Sequence, residues 1–123
     1  MATLNDRVFD NGLTVLDTEA NAIHVTSQEA TTYTEASSTY TLGNSTSLSI
    51  GAPADRTGGG RKVTVAAISD GSITADGTAT HYAIVDSTNS RLLATAALTA
   101  SQSVTNGNTF TLASFDIGVP DPS

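Results

Sequence analysis

The chain has no cysteine and no tryptophan, one methionine, three phenylalanines and three tyrosines. Without cysteine there are no disulfides, no thiolate metal sites and no cysteine nucleophile. Basic residues are equally scarce, one lysine and four arginines against twelve acids, for a net charge of −7. Nucleic-acid binding draws on counterion release by clustered Lys and Arg, so this balance disfavours nucleic acid as a partner, and anionic membrane surfaces for the same reason. No apolar run approaches the ~20 residues of a membrane helix, and the start Met1-Ala2-Thr3-Leu4 carries no signal-peptide pattern. The expected setting is therefore non-membrane.

What is abundant is threonine and serine, 21 and 14 of 123 residues. Thr suits a pleated, half-buried surface; Ser and Gly suit turns. The length fits one domain (1–123) able to bury roughly two-thirds of its unfolded surface. With so few aromatics, Val, Ile, Leu and Ala must supply the core.

Residues 3–17 carry the best helix pattern. Thr3 is a cap with Asp6 three residues on, and Leu4, Phe9, Leu13 and Leu16 fall near one face. Residues 1–20 are accordingly a helix plugging a sheet or an arm reaching a neighbour. Residues 22–27 alternate as a strand, 30–37 suit a helical turn with Tyr33 inward, and 38–50 suit a hairpin broken at Gly43-Asn44-Ser45. Residues 51–61 read as a flexible loop around Gly58-Gly59-Gly60.

From 62 to 117 the pattern is a β-meander. Val63, Val65 and Ala67 share a face, as do His81, Ala83 and Val85, with Tyr82 and Ile84 opposite. Leu92, Ala94, Ala96 and Leu98 form a further set. Turns are expected at Asp70-Gly71, Asp76-Gly77 and 87–90, and Asn106-Gly107 is the strongest hairpin signal. The inward parity changes between Leu112 and Phe115, marking a bulge or a change of face. Residues 118–123, with two prolines, read as a free tail. The expected fold is mainly β, an antiparallel β-sandwich or small barrel with a short N-terminal helix.

Chemistry-bearing patterns are sparse. His24 and His81 are the only neutral-pH bases, each on an expected strand, and no Gly-x-Ser-x-Gly elbow is present. Two histidines 57 positions apart make no transition-metal pattern, and no calcium-loop spacing exists. Gly58-Gly59-Gly60-Arg61-Lys62 lacks the Gly-Lys-Ser/Thr ending of a phosphate loop. Asn44-Ser45-Thr46 reads as a turn before it reads as a glycan acceptor. No catalytic, cofactor or metal residue is expected. One local anomaly stands out: Arg56, Arg61 and Lys62 gather three of the five cations into seven positions of an acidic chain. That cluster is either a solvated loop or a contact for an acidic partner surface.

Several segments resemble a known group: Asn5-Asp6-Arg7-Val8-Phe9-Asp10-Asn11-Gly12-Leu13, Asp76-Gly77-Thr78-Ala79-Thr80-His81-Tyr82-Ala83-Ile84-Val85-Asp86, Arg91-Leu92-Leu93-Ala94 and Asn106-Gly107-Asn108-Thr109-Phe110. These are similar to the small virion structural proteins of tailed bacteriophages and prophages. The resemblance implies a capsid cement (decoration) protein on the head exterior, made in the host cytoplasm. Its expected partners are the major capsid protein and further copies of itself in a symmetric homo-oligomer, a trimer favoured. The alternative is a tail-tip, collar or fibre module binding a host surface. On the decoration reading, the partner contacts are Thr3, Leu4 and Arg7 in the arm and Arg56, Arg61 and Lys62 in the loop. No catalytic residue is carried over by the resemblance.

Overall fold

The computed structural model describes the backbone of residues 6–119 and the side chains of 12–119 other than Thr99. Among the described residues the elements are a helix, α1 (Asp6–Glu19), and nine strands: β1 (Ala22–Thr26), β2 (Thr41–Ser45), β3 (Ala54–Asp55), β4 (Arg61–Val65), β5 (Ile68–Ile73), β6 (Gly77–Asp86), β7 (Arg91–Val104), β8 (Thr109–Leu112) and β9 (Phe115–Val119). A single π turn, Glu35–Thr39, precedes β2. The fold is thus mainly β and antiparallel, with one short N-terminal helix, as the composition leads one to expect. The chain forms two compact units that alternate in sequence.

One unit holds α1, 49–67 and the chain from 113 onward. Its sheet runs β3-β4-β9. α1 packs against β4, and each buries the apolar face read from its spacing: Leu13 and Leu16 from the helix, Val63 and Val65 from the strand. Burial of side chains this size stabilises by about 1.5–3 kcal/mol each. Thr64, between the two valines, faces solvent and bonds to Asp116 of β9. Ile50, also buried, bridges to Val65.

The other unit, 20–48 and 68–112, is a six-stranded sheet in the order β7-β6-β1-β2-β5-β8. β1 lies inside it and all five of its residues are buried. Directly opposed residues share a face, so Ile23 sits with Ile84, and His24 with Ala83. Ile23, Ile84 and Val25 are among the least exposed side chains. On the opposite face Ala22, Ala83 and Val85 are covered by Ala30, Tyr33, Ala36 and Tyr40 from the segment that includes the π turn. Tyr40 N donates to Glu35 O, five residues back, at 2.8 Å.

This sheet is curled. A flat sheet of six strands would hold its edges about 24 Å apart at ~4.8 Å per strand. Yet β7 and β8, the two edges, are joined by residues 105–108 alone, closed by Asn108 N donating to Thr105 O at 3.1 Å. Such a turn spans less than about 7 Å, which leaves at most about 15 Å between the strand ends. The link between β5 and β6 is three residues, although two strands lie between them. Within this unit the ladder is open between β7 and β8.

Several expectations are corrected. The stretch 62–117 is not one meander, because β4 and β9 belong to a different sheet from β5–β8. The Asn106-Gly107 turn joins opposite sheet edges and makes no hairpin. Residues 38–50 form none either: β2 pairs with β1 and β5, and Ile50 lies in the other unit. Asp70-Gly71 is inside β5, where a register shift takes the place of a turn. Leu92 does not share a face with Ala94 and Ala96, since a bulge opposite Ile84/Val85 places it across from Val85. Leu98 falls in a second irregularity, where 98–101 lie between the residues paired with Ala79 and His81. The parity change at Leu112/Phe115 is a change of sheet. Residues 54–55 of the expected loop form β3, and Gly118 and Val119 of the expected free tail end β9.

Candidate functional site

The loop of cations lies between β3 and β4. Gly58, Gly59 and Gly60 all adopt φ near +90 to +106°, a region closed to most side chains. The backbone folds back on itself there, with Arg56 N donating to Gly60 O and Gly59 N to Arg56 O, both at 3.1 Å. This curl turns the Arg56 side chain onto its own loop: Nη1 donates to Gly59 O at 3.0 Å and to Thr57 O at 3.5 Å.

The other two cations are matched by carboxylates. Arg61 Nη1 donates to Asp55 Oδ1 at 2.6 Å, across the β3–β4 pair, and Nη2 to Pro53 O at 3.3 Å. Lys62 Nζ donates to Asp116 Oδ2 at 3.0 Å, on the neighbouring β9. Thr64 Oγ1 donates to the other oxygen of Asp116 at 2.7 Å, and that bond, aided by Lys62, holds the Asp116 carboxyl below its usual range. Both ion pairs are solvent-exposed on the acid side, where water screens the attraction. A cavity of about 380 Å³ opens beside the Lys62–Asp116 pair, lined by Arg56, Thr57, Lys62, Asp116 and Gly118.

The structure therefore brings Arg56 and Lys62 together, while Arg61 serves the β3–β4 turn. Thr3 and Leu4 lie outside the described residues, and Arg7 is described only as a backbone position in α1. Asp116 and Gly118 were not expected at the site. Their placement follows from the β4–β9 register, Lys62↔Gly118 and Thr64↔Asp116, a pairing across more than 50 residues that no local pattern announces.

Both histidines are tied into the sheet. Thr41 Oγ1 donates to Gly43 O, so His24 Nδ1 is the donor in its 2.9 Å bond to that hydroxyl. The same logic applies to His81: Thr80 Oγ1 donates to Ser27 O and accepts from His81 Nδ1 at 2.8 Å. Burial holds the His24 imidazole below its ordinary pKa. Acids elsewhere are bonded to hydroxyls and amides. Asp70 accepts from Ser45 and Ser47. Asp86, buried, accepts from the amides of Thr88 and Asn89 and from Asn89 Nδ2; it closes the turn expected at 87–90. The Asn89 bond is the main cause of its lowered pKa. Among the described residues no group of three or more His, Asp or Glu side chains is gathered closely enough to hold a metal ion, and no helix is long and apolar enough to cross a membrane.

Comparison with family models, curated proteins and solved structures finds no match to this chain.

Proposed function

We propose that this chain is a structural subunit of a tailed-phage particle, a decoration protein that sits on the head exterior and binds the major capsid protein as a homo-oligomer, a trimer favoured. The observation that supports this reading best is how the polar side chains are employed. His24, His81, Asp70, Asp86 and Asp116 each bond to a neighbouring hydroxyl, amide or cation that fixes a ladder or a turn. Chemistry-bearing groups are spent on the framework, which leaves the outer surface as the working part.

Host-surface recognition by a tail or fibre module is less well supported. Glycan readers present exposed aromatic rings. Here Tyr33 and Tyr40 pack on the Ala22–Val85 cluster, Phe110 is buried, and Tyr82 and Phe115 are partly buried.

Decoration works by adding interfaces. Stable contacts bury about 1,200–2,000 Å² in total, and an oligomer raises weak single contacts by avidity. The test is to add purified protein to expanded shells prepared without it, and to measure copy number against the major shell protein. Saturable binding at a fixed ratio supports the reading. Failure to bind shells, or recovery only with tails at low copy, defeats it. Deleting residues 1–5, which precede α1, should weaken occupancy while leaving the fold intact.

A further inference from the structure

We infer that the Arg56 cavity receives a single carboxylate from a short acidic peptide segment of a partner, and that among the three loop cations Arg56 alone makes this contact. The inference rests on the docking role proposed above and narrows it to one side chain.

The three cations of the loop are not used alike. Arg61 and Lys62 already face Asp55 and Asp116. Arg56 is held differently. Its bonds among the described residues go to the neutral carbonyls of Gly59 and Thr57, and both leave from Nη1. Neutral acceptors fix the orientation of the guanidinium without cancelling its charge. Five N–H donors are available on that group, so the Nε and Nη2 edge keeps its donors for an incoming acceptor.

The backbone beneath Arg56 is shaped for it. A Cβ on Gly118 would stand 3.0 Å from Arg56 Cδ and 3.1 Å from Nε. With hydrogen there, Arg56 lies against β9 beside the Lys62–Asp116 pair, and the cavity opens on these groups.

Local charge selects the ligand class. Arg56 and Lys62 against Asp116 leave one net positive charge in the cavity lining, which suits a monoanion. A phosphate dianion would bring excess negative charge against Asp116. The planar guanidinium fork also matches a carboxylate in two parallel bonds. The chain carries a net charge of −7, so a broad acidic face would be repelled by the rest of the surface. A short segment that delivers one acid avoids that cost.

The test uses the full chain labelled with ¹⁵N and three probes: an end-blocked Gly-Glu-Gly peptide, the same peptide with Gln, and inorganic phosphate. The Arg56 Nε–H resonance, and in every variant the backbone amides of Thr57 and Gly118 that line the cavity, should shift saturably with the Glu peptide. Binding should weaken by about tenfold or more with the Gln peptide and in Arg56→Ala, and should be reduced in Arg56→Lys, which keeps the charge and lacks the fork. Arg61→Ala should keep binding within about twofold, a change under ~0.5 kcal/mol. Unchanged binding in Arg56→Ala, equal binding of the Gln peptide, or phosphate outcompeting the Glu peptide would each overturn the inference. Shell binding measured in parallel separates it from the reading it rests on. Arg56→Ala that loses the peptide yet occupies shells normally refutes the docking role of the cavity and leaves decoration standing. Wild-type protein that binds the Glu peptide but never binds shells refutes decoration and leaves the carboxylate receptor.

Discussion

Replacing Gly71 with alanine isolates one packing contact whose cost can be worked out in advance. Gly71 of β5 is paired directly with Phe110 of β8, and the Phe110 ring is buried at 5% exposure. A Cβ at position 71 would fall on the ring edge, 2.5 Å from Cδ1 and closer still to Cε1 and Cζ. Ordinary carbon contacts sit at about 3.5–4.0 Å, so the ring must retreat by about 1 Å or more in a packed interior. Overpacking of this kind costs about 1–3 kcal/mol. One effect opposes it: alanine restricts the unfolded chain, worth about 0.4–1 kcal/mol in favour of the variant. Gly71 is not among the positive-φ glycines, so no backbone strain enters. The expected net loss is about 1–2 kcal/mol. It should be read as a lower urea midpoint at unchanged slope. Phe110→Ala alone should cost about 3–5 kcal/mol. In the double variant the new methyl group enters space the ring has left, so the combined loss should fall short of the sum by about 1 kcal/mol. A neutral Gly71→Ala, or strict additivity, would show that the ring is not packed on Gly71.

Three further outcomes follow from other parts of the chain. Ile84, fully buried opposite Ile23 and Ala94, should lose about 2–5 kcal/mol on replacement by alanine; a loss below ~1 kcal/mol by denaturant titration would place it outside a packed core. His24 has its pKa lowered by burial, so the unfolded chain binds the proton more readily than the folded one. The stability tied to this residue is complete above the unfolded value of about 6.5 and is lost as pH falls from there toward the folded value. The urea midpoint should therefore drop as pH falls below about 6.5, and drop less in His24→Gln. The carboxylates whose pKa values are lowered, Glu35, Asp70, Asp86 and Asp116, act below that window, so a flat wild-type midpoint within it rejects the assignment. Gly12 is exposed within α1, and a Cβ added there would meet nothing within 4 Å. Gly12→Ala should give a more stable protein by about 1 kcal/mol; a decrease in helix content or midpoint would contradict a free helical position there.

Local periodicity carried a good part of this fold because several elements are governed by their own residues. Ile23 and Val25 mark β1, Val63 and Val65 mark β4, and the two faces of β6 were readable from His81, Ala83 and Val85 against Tyr82 and Ile84. α1 followed from Leu13 and Leu16. Partner choice did not follow, because it depends on contacts distant in sequence. Asp70-Gly71 has turn chemistry, yet Asp70 is bonded to Ser45 and Ser47 of another segment and the strand continues through it. The bulge near Leu93 moves Leu92 to the other face, which simple alternation cannot anticipate. At the loop, the gathering of Arg56, Arg61 and Lys62 was visible as composition. Their separate roles were not, because they are set by Asp55 across a short turn and by Asp116 from a strand more than 50 residues away.

Gly107 tests the least expected feature of the topology, the turn that spans the curl. Asn-Gly between two strands ordinarily closes a hairpin, and a substitution there would loosen only the two strands it joins. Here β7 and β8 are not partners. The turn is stitched instead to the end of β5 and the link that follows it: Gly107 N donates to Ile73 O at 2.9 Å, Ile73 N to Asn108 O at 2.8 Å, and Asn106 N to Asp76 Oδ1 at 2.7 Å. Gly107 has φ +93°, and a Cβ there would meet nothing within 4 Å. Gly107→Ala is thus a backbone-strain variant with no steric part, expected to cost about 1–2 kcal/mol. Its signature is where the loss is felt. Amide exchange should quicken at Ile73 together with position 107, since the turn, the end of β5 and the link after it hold each other and jointly keep the sheet curled. Acceleration confined to β7 and β8, with Ile73 unaffected, would mean that the turn behaves as an ordinary hairpin end and that the curl is maintained elsewhere.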